Sequence, residues 1–413
     1  QAQYQIKQGQ DPNQTLQKAA NYCQQAIENN PNVFAFYNKL LFVYTIKSQY
    51  LLSKGQDPTI VLEEGLNSFN KVMKLNQNNL TSYNYLGIVY NNIGDHLLQI
   101  GQDPSDFYQQ AIDKFQYKIS NVLIAPANYS SIAWAYTGKA LYQMSFGQSP
   151  NALLEKAIEY SDKALSYNDN YTLAYTLKSR AYRLKALYLI KQKEPTQQLL
   201  QQAMEMGQKA YQVNNGDLLA FINLAEIYWT EAQYQVDEKQ NPTKKIYQAL
   251  SLLEQAKNLS PGSNFPCMLE GRLYLLEAQW LISQNKSPFQ VLDKSYQALQ
   301  QAVNLNANDS ETYMLLANLS RWQIEWLLKE GKPVNEVTEK GLIMIEKSLV
   351  NNANNAEAYA IKGAIYLLSA QSQQNSVTRK ELLEKSQKSF EKAFSLNKLL
   401  VNEYKALMEQ PQS

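Results

Sequence analysis

The sequence of 413 residues predicts an all-α solenoid built from about nine copies of a 46-residue helix-turn-helix unit. Two grids of residues carry that prediction. Prolines are sparse, yet Pro12, Pro58, Pro104, Pro150, Pro195, Pro242, Pro288 and Pro333 recur every 45 to 47 residues. Small residues keep the same period at Ala19, Gly65, Ala111, Ala157, Ala203, Ala249, Ser295, Gly341 and Ser386. A fixed period of this size marks stacked supersecondary units, not separate globular domains.

The break between the two helices of a unit is the clearest element. Gly-Gln-Asp-Pro occurs at Gly9, Gly55 and Gly101, and Gly-Gln-Ser-Pro at Gly147. Glycine ends one helix and proline opens the next, while the Asp or Ser before the proline is placed as an N-cap. The second helix of the unit follows, at about 59–75 in one copy, and carries the small residue where the two helices touch. The first helix is longer. Residues 33–54 are one example, roughly 33 Å at about 1.5 Å per residue. Its core stripe is aromatic: Tyr37, Tyr83, Tyr129, Tyr175, Phe221, Tyr313 and Tyr359 share one phase, interrupted by Cys267. Seven residues on come Tyr44, Tyr90, Tyr136, Tyr182, Tyr228, Tyr274 and Tyr366, interrupted by Ser320. Aromatics two turns apart form the buried face of an amphipathic helix, so the ladder reads as packing rather than ligand stacking.

These residues resemble the tetratricopeptide repeat. Tyr83, Leu86, Gly87 and Tyr90 match its aromatic-x-x-Leu-Gly-x-x-Tyr, Ala111 and Phe115 its Ala-x-x-x-Phe, and Pro31, Pro126 and Pro261 lie at or near its closing proline. Partial matches cover essentially the whole chain. The departure is length, since the family's unit is about 34 residues; the extra dozen lengthen the first helix and supply the break. The resemblance implies a right-handed α-solenoid and a protein-interaction role. The period divides the chain into a partial unit 1–31, full units 32–77, 78–123, 124–169, 170–215, 216–261, 262–307, 308–353 and 354–398, and a C-terminal half-unit 399–413.

Chemistry is hard to find in the sequence. Thirty-nine basic residues against thirty-seven acidic leave a charge of +2, which gives no electrostatic case for nucleic acid or an anionic membrane. No apolar run approaches the ~18 residues of a membrane span. Cys23 and Cys267 stand 244 residues apart and read as small buried hydrophobes. His96, the one histidine, reads as a solvated surface residue with no nucleophile beside it. No His/Cys/Asp/Glu cluster has metal spacing, no glycine-rich phosphate loop follows a strand, and one Asp per break is too few ligands for calcium. The expectation is a protein that is not an enzyme and takes no cofactor.

In tetratricopeptide proteins the first helices line a concave peptide-binding face. By that resemblance the face here carries Asn38 and Phe42, Asn84 and Ile88, Ser130 and Trp134, Thr176 and Arg180, Ile222 and Glu226, Met268 and Arg272, and Met314 and Asn318. Its basic residues, Arg180, Arg183, Arg272 and Arg321, read as dispersed.

Two further expectations concern the ends and the compartment. The chain opens at Gln1, not Met, partway through a first helix, and Ser413 stops at the phase just before. That match predicts head-to-tail self-assembly into a filament. The predicted N-terminal end is Tyr4, Ile6, Ala19 and Cys23, and the C-terminal end is Leu400, Tyr404, Leu407 and Met408, with Pro411 a break near the junction. The alternative is a scaffold or adaptor binding a protein or peptide partner on the concave face. Asn13, Asn79, Asn128, Asn170, Asn258, Asn285, Asn308 and Asn318 each begin Asn-x-Ser/Thr and are candidate N-glycan sites. They favour an extracellular, processed protein over a cytoplasmic one.

Overall fold

The computed structural model describes residues 1–121 and 126–409. The boundary expected at 123/124 and the readings of Pro411 and Ser413 lie outside them. Nineteen α-helices and no strand occur among the described residues. The chain opens with α1 (Ala2–Lys7), α2 (Asn13–Asn29), α3 (Phe34–Ser53), α4 (Leu62–Leu75), α5 (Leu80–Gln99) and α6 (Ser105–Asn121). The middle holds α7 (Pro126–Ser145), α8 (Asn151–Tyr167), α9 (Thr172–Gln192), α10 (Gln197–Val213), α11 (Leu218–Asp237) and α12 (Thr243–Leu259). The chain ends in α13 (Phe265–Ser283), α14 (Phe289–Leu305), α15 (Ser310–Lys329), α16 (Asn335–Asn351), α17 (Ala356–Gln371), α18 (Ser376–Leu396) and α19 (Leu400–Met408).

Odd-numbered helices from α3 onward are the first, or A, helices of the units, and even-numbered ones are the B helices. Each A helix packs on the B helix that follows it and also touches the next A helix; among the described residues no comparable contact joins successive B helices. The A helices therefore form a continuous inner layer and the B helices an outer one.

The small-residue grid sits where the layers meet. Ala111, Ala157, Ala203, Ala249 and Ser295 are completely buried. The backbones come so close there that Ser179 Oγ donates to the Ala203 carbonyl at 2.6 Å and Ser295 Oγ to that of Gly271 at 2.9 Å. The residue before the break proline does cap: Asp11, Asp57 and Asp103 each accept from the backbone N–H two residues on, at 2.8 Å. The proline grid needs one adjustment. The buried break position is Pro12, Pro58, Pro104, Pro150, Thr196, Pro242, Pro288 and Val334, while Pro195 and Pro333 are exposed one residue earlier. Of the aromatic stripes, Tyr90, Tyr129, Phe221 and Tyr313 are buried and the others half-buried. Lysines on the B helices lie over several of the rings, as Lys347 does over Tyr313 at 5.5 Å and Lys245 over Tyr228 at 5.3 Å.

The superhelix closes on itself. Lys54 Nζ donates to the Leu305 carbonyl at 3.1 Å, and Asn308 Nδ2 donates back to that of Lys54 at 3.1 Å. Asn352 and Asn354 donate to Gln99 and Gly101, and Asn397 to Met144 and Ser145. At the N-terminal edge Gly262 N–H donates to the Lys7 carbonyl at 3.0 Å. The side-chain bonds span 251 to 254 residues, five and a half repeat periods. The helix break of one unit thus abuts the turn between units five and six places further on, and successive superhelical turns touch along a seam.

Candidate functional site

The inner face of the A helices is where the charged residues converge. Arg180, Arg183, Arg272 and Arg321 read as dispersed in the sequence, but a turn of five and a half units brings them round one narrow lumen. Arg183 pairs with Glu226 at 2.9 Å, both nearly buried. Arg272 pairs with Glu311, and Arg321 with Glu325 at 3.4 Å. Lys191, at the end of α9, pairs at 2.5 Å with Glu357, at the start of α17. Its ammonium is the main cause holding the Glu357 carboxyl below the usual range. The Lys191, Arg272, Glu311 and Glu357 side chains keep 25%, 21%, 39% and 42% of their surface. These charged groups therefore face a space that water can reach.

Tryptophans interleave with the arginines. The Arg180 guanidinium lies 5.4 Å from the centre of Trp134, Arg272 4.8 Å from Trp229, and Arg321 3.8 Å from Trp322. Such stacks place a cation on an aromatic face while its N–H groups stay available. Below Arg180, Trp134 Nε1–H donates to both Asp95 oxygens at 3.0 and 3.1 Å, and Tyr108 Oη–H donates to Asp95 at 2.6 Å. Burial pushes the Asp95 carboxyl above its ordinary range, against these two bonds and the nearby Arg180. Tyr108 belongs to an outer helix, α6, and reaches Asp95 between α5 and α7. Gly94 and Gly138 make the gap; a β-carbon at Gly94 would lie 2.7 Å from the Tyr108 ring.

Among the described residues Arg180, unlike the other three arginines, makes no ion pair. Its Nε, and the side-chain oxygens of Asn223 and Asn318, are buried without a partner. The hollow beside it, lined in part by Trp134, Thr176, Ile222 and Glu226, measures only about 30 Å³, room for one water. A larger hollow of about 440 Å³ lies elsewhere, shallow and on the outer face, beside Tyr313, Ile343, Lys347 and Val350. The lumen, not that hollow, gathers the arginines, and the Nε atoms of Arg180, Arg183 and Arg321 are buried there without a partner.

Several sequence expectations meet corrections here. His96 is 6% exposed, not a surface residue: the lengthened A helix carries it under the preceding break at Pro58–Val61. Leu400, Tyr404 and Leu407 are 0%, 6% and 8% exposed, because α19 packs on α17, α18 and the end of α9. They are core residues of this chain, joined by half-buried Met408, and not an open adhesive end. At the other end Ile6, Ala19 and Cys23 pack on the cluster of Ala2, Leu16 and Leu40, and only Tyr4 projects. Cys267 is buried, its thiol pushed up to about 11 by desolvation, whereas Cys23 is half-exposed. Of the eight sequons, Asn128 is 2% exposed within α7, Asn318 lies half-buried within α15 with its oxygen enclosed, and Asn308 spends its amide on the seam. Asn79 is half-buried and caps α5 through its side-chain oxygen. Asn13, Asn170, Asn258 and Asn285 are exposed.

The sequence reading placed Glu226 on this face but missed Lys191 and the other acidic partners of the lumen. A signal for the latter was present: Glu311, Glu357 and Glu403 stand 46 residues apart, in the first turns of three successive A helices.

No family model and no curated protein matches the chain. Solved structures do. A thermophilic TPR protein of Thermus thermophilus is 17% identical, covering 56% of this chain and 98% of its own, with a TM-score of 0.38. Human IFIT1, solved as a dimer with a capped RNA (m7Gppp-AAAA), is 14% identical over 92% of this chain and 76% of its own, with a TM-score of 0.46. YrrB, described as a TPR protein with an unusual peptide-binding site, is 18% identical over 60% and 97%, with a TM-score of 0.31. The chain is an all-α helical-repeat solenoid, and its similarity to these TPR proteins is one of fold. Among its described residues, no group of three or more His, Cys, Asp and Glu is placed to hold a metal ion, and no helix is long and apolar enough to cross a membrane.

Proposed function

We propose that this TPR-like solenoid is a non-enzymatic scaffold that takes an extended segment of a protein partner along the inner face of its A helices. The observation that carries this reading is Arg180, stacked on Trp134 and, alone of the four lumenal arginines, in no ion pair among the described residues. A partner's carboxylate or backbone carbonyl supplies the missing acceptor, and the unpartnered oxygens of Asn223 and Asn318 accept from its N–H groups. Panning a random peptide library on the immobilised protein tests it. Recovered peptides should lose at least tenfold in affinity for Trp134→Ala or Arg180→Ala and bind an Ile343→Ser, Val350→Ser double variant unchanged. The reverse pattern would move the site to the outer face and overturn the reading.

Head-to-tail assembly is the narrower reading of the same scaffold. Through Leu400, Tyr404 and Leu407 it requires α19 to leave its own core first. Sizing over a wide concentration range decides it: the scaffold stays monomeric, while growth with concentration would restore the filament.

A further inference from the structure

We infer that the seam between superhelical turns is a polar latch, and that its opening, short of unfolding, is what admits a partner to the lumen. The inference rests on the inner-face reading above and adds the way in. In the closed form the hollow beside Arg180 and Trp134 has room for one water, and neighbouring turns abut along the seam, so a peptide has no lateral entrance.

The seam differs in kind from every other contact in the fold. Within a turn, units share apolar clusters, such as the one that runs from Cys267 to Leu407. None of the seven clusters holds residues from both sides of the seam. The seam is instead made of hydrogen bonds from Lys54, Asn308, Asn352, Asn354 and Asn397 to backbone carbonyls, with the Lys191–Glu357 ion pair beside it. These groups run from exposed, at Asn308 and Asn354, to buried, at Asn397, and each finds water as a partner when the turns separate. Parting the seam exposes little apolar surface, whereas parting two units within a turn exposes a core. A small change of rotation at each unit, summed over five and a half units, is enough to separate the turns.

The repeat supplies its own control. Asn168, Asn214, Asn352 and Asn397 all accept from the backbone N–H two residues on, holding the same turn. Only Asn352 and Asn397 also donate across the seam. Asn→Asp keeps the accepting oxygen and removes the donor, so it tests the seam without removing the turn.

The experiment places spin labels on cysteines at exposed Gln102 and Ala353, in a Cys23→Ser background, and follows their separation in urea beside far-ultraviolet circular dichroism. The short distance should be lost at a urea concentration where helical signal is unchanged. Asn352→Asp with Asn397→Asp should move that loss to lower urea, and Asn168→Asp with Asn214→Asp should leave it where it was. Distance and helicity lost together, or both pairs acting alike, would overturn the latch. No peptide enters this measurement, so its failure is separate from failure of the binding assay.

Discussion

Single residues show how much a buried charge depends on its surroundings. His96 is enclosed near Asp57, with Nδ1 unpartnered. Burial lowers its pKa below the ordinary value, and Asp57 opposes the shift in part. The unfolded chain therefore binds the proton first as pH falls. The stability tied to neutral His96 is complete above about pH 6.5 and is lost as pH falls through the lower folded value. His96→Gln should flatten the fall in melting temperature between pH 7 and 5; an unchanged slope would put the acid sensitivity elsewhere. Arg183 gives a second case. With Glu226 it forms an ion pair that is 4% and 11% exposed, and removing one partner strands the other. Arg183→Met should cost about 3–5 kcal/mol in denaturant unfolding, and adding Glu226→Gln should recover most of it.

At the scale of the element, the glycines and alanines of the repeat do separable work. Gly55 and Gly331 both end an A helix with positive φ, +61° and +66°. A β-carbon at Gly55 would also meet Asn308 Cβ at 2.8 Å across the seam, while at Gly331 it meets nothing within 4 Å. Gly331→Ala should then cost about 1–2 kcal/mol, the penalty of the left-handed conformation alone. Gly55→Ala should cost measurably more, and equal losses would mean that the seam contact contributes nothing. Ala203 tests the interface between layers: completely buried against Ser179, it leaves no room for growth. Ala203→Leu should cost about 1–3 kcal/mol by overpacking, read from the shift in melting temperature.

For the whole molecule, units held by neighbours and joined across turns by polar contacts alone should not unfold as one. The five tryptophans lie between Trp134 and Trp326, so their fluorescence reports the middle units and circular dichroism reports all of them. In urea the helical signal should begin to fall before the fluorescence changes, as end units peel away. Superimposable curves would show instead a single cooperative block.

What the sequence determined by itself is the unit. Glycine, capping Asp and proline set the break, the small residue sets the helix contact, and the tyrosine pairs set the core face of each A helix. All of these act within one or two periods, where short-range sterics and amphipathic spacing decide the outcome. Even the lumenal glutamates were legible as a ladder 46 residues apart. The tertiary structure alone decided how many units complete a turn. That number follows from a rotation of roughly 65° per unit, and a few degrees either way, compounded over five and a half units, would part the seam. Closure makes one lumen of arginines that are scattered along the chain, and carries Asn352 to Gln99 across 253 residues. Packing on the preceding units likewise buries Leu400, Tyr404 and Leu407 on their own molecule, although their spacing alone reads as an open end.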